Sequence, residues 1–413
     1  MAAHRIAIVA PFSTGSQLAP EFARHGWESV AVVEGEPPAS YAASFRPDDF
    51  VEVVQAATDP AATAALLRRL GTHQVLAGSE WGVDLADQLT TLLGLPGNAH
   101  LPGRPRRDKY AMMRRLRSAG LRTPASLVTD DEEQMLTWAA HGRHWPVVVK
   151  PRDSAGSDGV VFCAGPAQAR SALATLDRAY NALGLRNDGV LVQERLTGQQ
   201  YFVNSVSIEG RHHVHEIWRD DRLFVREKPV YDRQRLLPAR GDVQDVAVPY
   251  VLRVLDALGI REGPAHTELF VDDDGPVIIE CGARLEGGVT PRGPVAATGD
   301  SQVSLTVLRY VDPAGFATRL GTPYDLRRQL HVVCLTAPYD GIMAAAGLDE
   351  IARMPGILCG SALNLRPGSR VRRTVDLFTS PGHLYLLADD ERELERAYRR
   401  IRELEVQGLY LPA

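Results

Sequence analysis

The chain has 413 residues, with 46 Lys plus Arg against 51 Asp plus Glu, a formal charge of −5, and 45% hydrophobic residues. A chain of this length calls for roughly two to four packed units, and its apolar share supports a buried core, which excludes disorder as the dominant state. The mildly acidic balance argues against an electrostatic grip on nucleic acid or on an anionic membrane.

The opening MAAHRIAIVAPFSTGSQ has no basic n-region followed by a cleavable apolar run, and no stretch nears the roughly 20 apolar residues of a membrane helix. The cysteines Cys163, Cys281, Cys334 and Cys359 lie far apart, with no Cys-x-x-Cys pair, as expected for buried thiols in a reducing compartment. These features predict a soluble, cytoplasmic protein.

RIAIVA at 5–10 reads as a buried strand, followed by a small polar loop at 13–16, a helix at 18–25 and a strand at 29–33. This βαβ spacing predicts a parallel sheet. The loop STGS has one glycine, so a plain turn fits it better than a dinucleotide fingerprint. A helix at 61–70, a strand at 74–77 and a helix at 83–93 complete a small α/β unit. Pro and Gly then mark a boundary at 94–105. The basic run from Arg104 to Arg117 has three readings: a solvated helix face, a nucleic-acid arm or a local phosphate site. At the far end, 389–405 alternates acids and bases at helical spacing, as in an exposed helix held by i,i+4 pairs.

Three segments carry chemistry. WPVVVKP at 145–151 is a buried strand ending in Lys150, followed by SAGSDG at 154–159 and another apolar strand. Small residues let backbone amides approach an anion, and the lysine adds a point charge. An ordinary hairpin fits the same pattern, and a Walker loop does not, because the lysine precedes the glycines. The second segment, VLVQERL at 190–196, is a strand running into polar residues. The third flanks DDDGP at 272–276 with AHTELFV and VIIEC, which reads as a hairpin. With a loop of 273–275, Asp272 faces Pro276 and Glu268 falls opposite Glu280. Two facing carboxylates repel unless a hard divalent cation such as phosphate-bearing Mg²⁺ lies between them. The competing reading turns both glutamates to water with the register off by one. Arg284, four residues beyond Glu280, suits a carboxylate or a phosphate. The whole set is the equipment of phosphoryl transfer.

RRDKYAMMRRLRSAGLRTP, WPVVVKPRDSAGSDGV, VLVQERLTGQQYFV and GPAHTELFVDDDGPVIIECGARLEGG, in this order, resemble the ATP-grasp superfamily of carboxylate–amine ligases, and the last block resembles its amino-acid ligase branch. The resemblance implies an α/β (α+β grasp) fold: a Rossmann-like parallel-sheet unit at 1–100, grasp units with antiparallel sheets at 101–190 and 191–320, and a C-terminal α/β subdomain at 321–413. It makes Lys109 and Lys150 the ATP lysines and puts the loop with Ser154, Gly156 and Ser157 over the phosphates. Gln193, Glu194, Arg195 and Leu196 would border the adenine, with Gln200 near the ribose. Glu268 and Glu280 would bind Mg²⁺, with Mn²⁺ able to replace it. Arg284 would neutralise the acyl phosphate, and Gly287 and Gly288 would border the substrate carboxylate. Two departures stand out: Gln200 replaces a ribose-binding Glu, and Gly282 replaces an Asn that serves as a third metal ligand in many members, which puts the number of ions in doubt.

Weaker signals complete the reading. In RHHVHE at 211–216, His213 and His215 share a strand face and His212 does not, so at most two could join one metal site. The stretch 224–238 reads as either an exposed connection or a substrate loop presenting Glu227, Lys228 and Tyr231. His266 shares a face with Glu268, where it could orient substrate or serve the core. The expected activity is ATP- and Mg²⁺-dependent amide formation between two amino acids through an acyl phosphate, with Lys150 and Arg284 as the catalytic cations. The alternatives are a ligase or carboxylase acting on another small-metabolite carboxylate, or a non-catalytic nucleotide-binding regulator. Small-molecule substrates are expected, without nucleic acid or membrane, and a homodimer is allowed.

Overall fold

In the computed structural model of the chain, residues 4–412 are described except Pro38, Ala155, Ser157, Ala182, Leu183, Arg226, Glu227 and Val289. The expected sites at Ser157 and Glu227 therefore lie outside the described residues. The buried run Arg5–Val9 sits inside a four-stranded parallel sheet ordered Glu52–Gln55, Glu28–Val33, Arg5–Val9, Gln74–Ala77. The predicted elements of this unit are present, and Glu52–Gln55 is a strand the sequence patterning did not signal, because only Val54 of its four residues is buried. The STGS loop is a short 3-10 helix, Ser13–Gln17. A Cβ on Gly15 would lie 2.0 Å from the carbonyl oxygen of Gly78, so this glycine serves close backbone packing and not a phosphate.

The second sheet is antiparallel, in the order Ser126–Thr129, Val190–Glu194, Val147–Lys150, Val161–Cys163. Strand Val190–Glu194, which an expected boundary at 190/191 would divide, belongs wholly to it. The third sheet has eight antiparallel strands, running from hairpin Gly275–Gly282 and Gly263–Asp272 through Gln199–Ile208, Arg211–Val225 and Lys228–Leu236. It continues without a break into C-terminal strands Gln329–Cys334, His383–Ala388 and Ile357–Cys359. The stretch read as a substrate loop or exposed connection is thus largely strand. A three-stranded sheet closes the C-terminal part.

Two charged segments differ from expectation. Helix Glu391–Gln407 is amphipathic, with Leu394, Ala397, Ile401 and Leu404 buried, so burial of one face holds it more than its ion pairs do. Arg106 and Arg107 are buried and not free for phosphate, while Arg104 is exposed and pairs with Asp84 and Asp153. Arg106 pairs with Asp87 at 2.6 Å, and Arg107 bridges Glu80 and Asp153. Desolvated guanidinium groups need such partners, and here they tie the first unit to the second. His213 and His215 are buried with ring centroids 6.0 Å apart, and no cluster of three or more His, Cys, Asp or Glu able to hold a metal occurs among the described residues. Within the same limits, no helix is long and apolar enough to cross a membrane.

One hydrophobic core joins the parallel sheet, helix Lys109–Ser118, helix Asp242–Ala257 and the hairpin Gly263–Asp272 with Gly275–Gly282. This continuity fixes the site, because the elements that frame it share one packed interior. Leu255→Ala should therefore cost about 2–5 kcal/mol and lower the thermal midpoint, since Leu255 is fully buried in that core. Val246→Ala on the exposed side of the same helix should change stability by less than about 0.5 kcal/mol.

Candidate active site

The hairpin brings Glu268 directly opposite Glu280, though by a different path than the sequence register implied. The loop is one residue shorter: Asp272 pairs with Gly275 and Val271 with Pro276. A β-bulge between Glu268 and Leu269 then restores the facing pair, with Ile279 as the extra residue. The bulge aims both carboxylates into one cavity.

That cavity has a volume of about 780 Å³ and lies between the second and third sheets. Lys109, Lys150, Ser154, Gly156, Glu268 and Glu280 line part of it. Gln193, Glu194, Arg195, Leu196 and Gln200 line the rest of the wall. Lys150 is buried at the end of its strand, and burial, with the Lys109 ammonium beside it, pulls its pKa down to about 8. Lys109 caps the base of the opposite wall, with Nζ 3.1 Å from Glu280 and hydrogen-bonded to the Ser154 carbonyl. Ser154 Oγ donates to Asp158 at 2.7 Å.

The Arg195 amide already donates to the Pro146 carbonyl at 3.1 Å. The Leu196 amide has no backbone acceptor among the described residues. The Gln193 side chain is buried and donates to Ser126 at 2.9 Å, so it braces the wall. Gln200 Nε2 donates to Glu268 at 3.2 Å. An acid at this position would repel Glu268, which gives the neutral amide a physical reason.

A second cavity of about 560 Å³ adjoins the first and shares Gly156, Asp220, Arg222, Tyr231, Glu268 and Glu280 with it. It also takes in His266, Arg284, Gly287 and Gly288. His266 Nε2 lies 3.2 Å from Glu268, and its Nδ1 lies 2.8 Å from Asn204. Burial opposes ionisation of Glu268, but that contact with His266 and the charges of Arg222 and Arg284 hold its carboxyl at about 2. Both facing acids are therefore compensated, Glu280 by a lysine and Glu268 by a histidine and an amide.

Several of these residues carried no local sequence signal. Glu80 reaches in from the parallel-sheet unit, accepting from Arg284 at 2.7 Å and pairing with Arg107. Burial raises its pKa, yet Arg284, Arg107 and Lys109 outweigh that and set it at about 2. Its place just beyond strand Gln74–Ala77 is the one clue, because ligands gather at the carboxyl ends of parallel strands. Arg222 pairs with Asp220 at 2.6 Å and stacks 3.4 Å from the Tyr231 ring centroid, in the wall common to both cavities. Tyr231 thus faces the site, as one of its two readings had it.

The donor set suits a hard divalent cation only in part. Two carboxylates face one another, and no third acid, His or Cys completes a cluster among the described residues. A Cβ on Gly282 would lie 3.0 Å from Glu80 and 3.2 Å from Arg284, so the Glu80–Arg284 pair crowds the place of a third side-chain ligand. Phosphate oxygens and water would have to fill the remaining positions.

A family model described as an ATP-grasp domain matches residues 143–291. Dapdiamide A synthase from Enterobacter agglomerans is 31% identical over 340 residues, which is 82% of this chain and 80% of that protein. The chain belongs to the ATP-grasp family of ATP-dependent carboxylate–amine ligases. Among solved structures, an L-amino acid ligase from Bacillus licheniformis superposes with a TM-score of 0.74 at 21% identity, covering 97% of each chain. N5-carboxyaminoimidazole ribonucleotide synthetase from Thermotoga maritima gives 0.67 at 17%, covering 97% of this chain and 98% of that one. Both likenesses confirm the grasp fold across the full length.

The Lys150 pKa has a direct consequence. Its positive charge is present below about pH 8 and lost above it, so affinity for a nucleotide polyphosphate should fall as pH rises from 7 to 9.5. The slope should approach about tenfold per unit. Lys150→Arg should flatten it, as measured by calorimetric titration with ADP.

Proposed function

We propose that this ATP-grasp enzyme condenses the carboxylate of one amino acid with the amine of a second. The supporting observation is the pair of adjoining cavities that meet at Glu268, Glu280 and Arg222. One has a volume of about 780 Å³ and carries the cations Lys109 and Lys150, as the phosphates of a nucleoside triphosphate require. The other carries Arg284 and two exposed glycines, Gly287 and Gly288, as a small carboxylate requires.

In this reading, Glu194 and Leu196 border the adenine, and Gln200 acts through Glu268 and not on the ribose. Lys109 and Lys150 hold the phosphates under the Ser154–Gly156 loop. Glu268 and Glu280 would hold one Mg²⁺, or Mn²⁺ in its place, which supplies neutralisation of the phosphate charge. The substrate carboxylate attacks the terminal phosphorus, ADP leaves, and an acyl phosphate results. Arg284, fixed by Glu80, lies ready for the charge on that intermediate. The amine attacks the carbonyl carbon and phosphate departs. The dapdiamide synthase relative and the ligase-like fold support amino acids on both sides. Free cysteines at positions 163, 281, 334 and 359 suit a reducing cytoplasm, where ATP is abundant.

The test is ADP release from purified enzyme with ATP, Mg²⁺ and pooled amino acids, with products read by mass spectrometry. Release that needs a carboxylate and an amine together, with a dipeptide-mass product, is the expected result. Release with a carboxylate and no amine-containing product would contradict it.

A further inference from the structure

Glu286 lies two residues beyond Arg284 and lines the second cavity, yet it is only 6% exposed. Its Oε2 accepts from Asn204 Nδ2 at 2.8 Å. The same amide group donates to Glu216 at 2.9 Å, and Glu216 also receives Trp218 Nε1 and the Gln302 backbone amide. Glu216 is therefore fully supplied with donors, while Glu286 has one side-chain donor. No described residue donates to the other oxygen, Oε1, which opens on the cavity.

Among the described residues, no cation forms an ion pair with Glu286. Arg284 turns its Nε to Glu80 and one Nη to the Leu285 carbonyl. The remaining groups around it are the acids Glu216 and Glu268 and the phenol of Tyr385. Burial, with Glu216 adding repulsion, pushes the Glu286 carboxyl well above the usual range, against the pull of Asn204 and Arg284. A buried carboxylate without a counter-charge is unfavourable, and an arriving cation removes the penalty. The cavity is small, and its neighbour takes the nucleotide. The complementary ligand is a compact ammonium group on a small substrate.

We propose that Glu286 anchors the ammonium group of the amino acid whose carboxylate is activated, with Oε1 accepting a hydrogen bond from –NH₃⁺ and Asn204 holding the Glu286 carboxylate in place. The inference rests on the ligase reading above. It adds a specificity residue that distinguishes amino acids from carboxylates without an amino group.

The test uses Glu286→Gln, which keeps shape and the Asn204 contact but removes the charge. Hydroxylamine, neutral at assay pH, intercepts the acyl phosphate as a hydroxamate and reports activation without the natural amine. KM for the carboxylate-supplying amino acid in hydroxamate formation should rise about ten- to hundredfold, while KM for its des-amino analogue stays unchanged. Hydroxamate formation with an unchanged KM for the carboxylate substrate and a raised KM for the amine would place the contact on the incoming amine, which must lose its proton to attack, and would overturn the proposal. Glu286→Asp, retaining charge with a retracted oxygen, should fall between. ADP affinity in both variants checks the fold. Unchanged KM values for both substrates would overturn the proposal. So would an equal loss with amino acid and des-amino analogue, the mark of a structural role. Wild-type enzyme inactive with every amino-acid pair would instead refute the ligase reading.

Discussion

The site is organised around a repulsion. Glu268 and Glu280 face each other on neighbouring strands, in a setting where an uncompensated pair of carboxylates would be strongly unfavourable. Contacts on each side compensate them: Lys109 for Glu280, and His266 and Gln200 for Glu268.

A second electrostatic chain spans the units. Asp153, Arg107, Glu80 and Arg284 form a chain of ion pairs that runs through the parallel-sheet unit to the second cavity. Arg284 is thereby oriented before substrate arrives, which is what preorganised charge stabilisation requires. The same chain accounts for Gly282, since any side chain there would press on Glu80 and Arg284. It also shows why the basic run at Arg104–Arg117 was misleading. Three of its arginines are spent on Asp84, Asp87, Glu80 and Asp153, and only Lys109 of the run lines the larger cavity.

What was legible in the sequence was local. The alternation around DDDGP was enough to pair Glu268 with Glu280, and the strand ending in Lys150 was visible from its apolar run. The bulge at Ile279 was not visible, because a one-residue insertion and a longer loop leave the same pairing. Gln200 was read for the ribose, and its contact with Glu268 depends on a neighbouring strand. Glu80, Asn204 and Glu286 were missed because each acts through partners distant in the chain. The sheet connecting the grasp hairpin to strands beyond residue 329 was hidden for the same reason.

The central claim is that the facing carboxylates bind a divalent cation together with the nucleotide. Its most direct test is the Mg²⁺ dependence of ADP binding, measured by calorimetry in wild type and in Glu280→Gln. Mg²⁺ should tighten binding by about tenfold or more in wild type and have little effect in the variant. Equal tightening in both proteins would contradict the account.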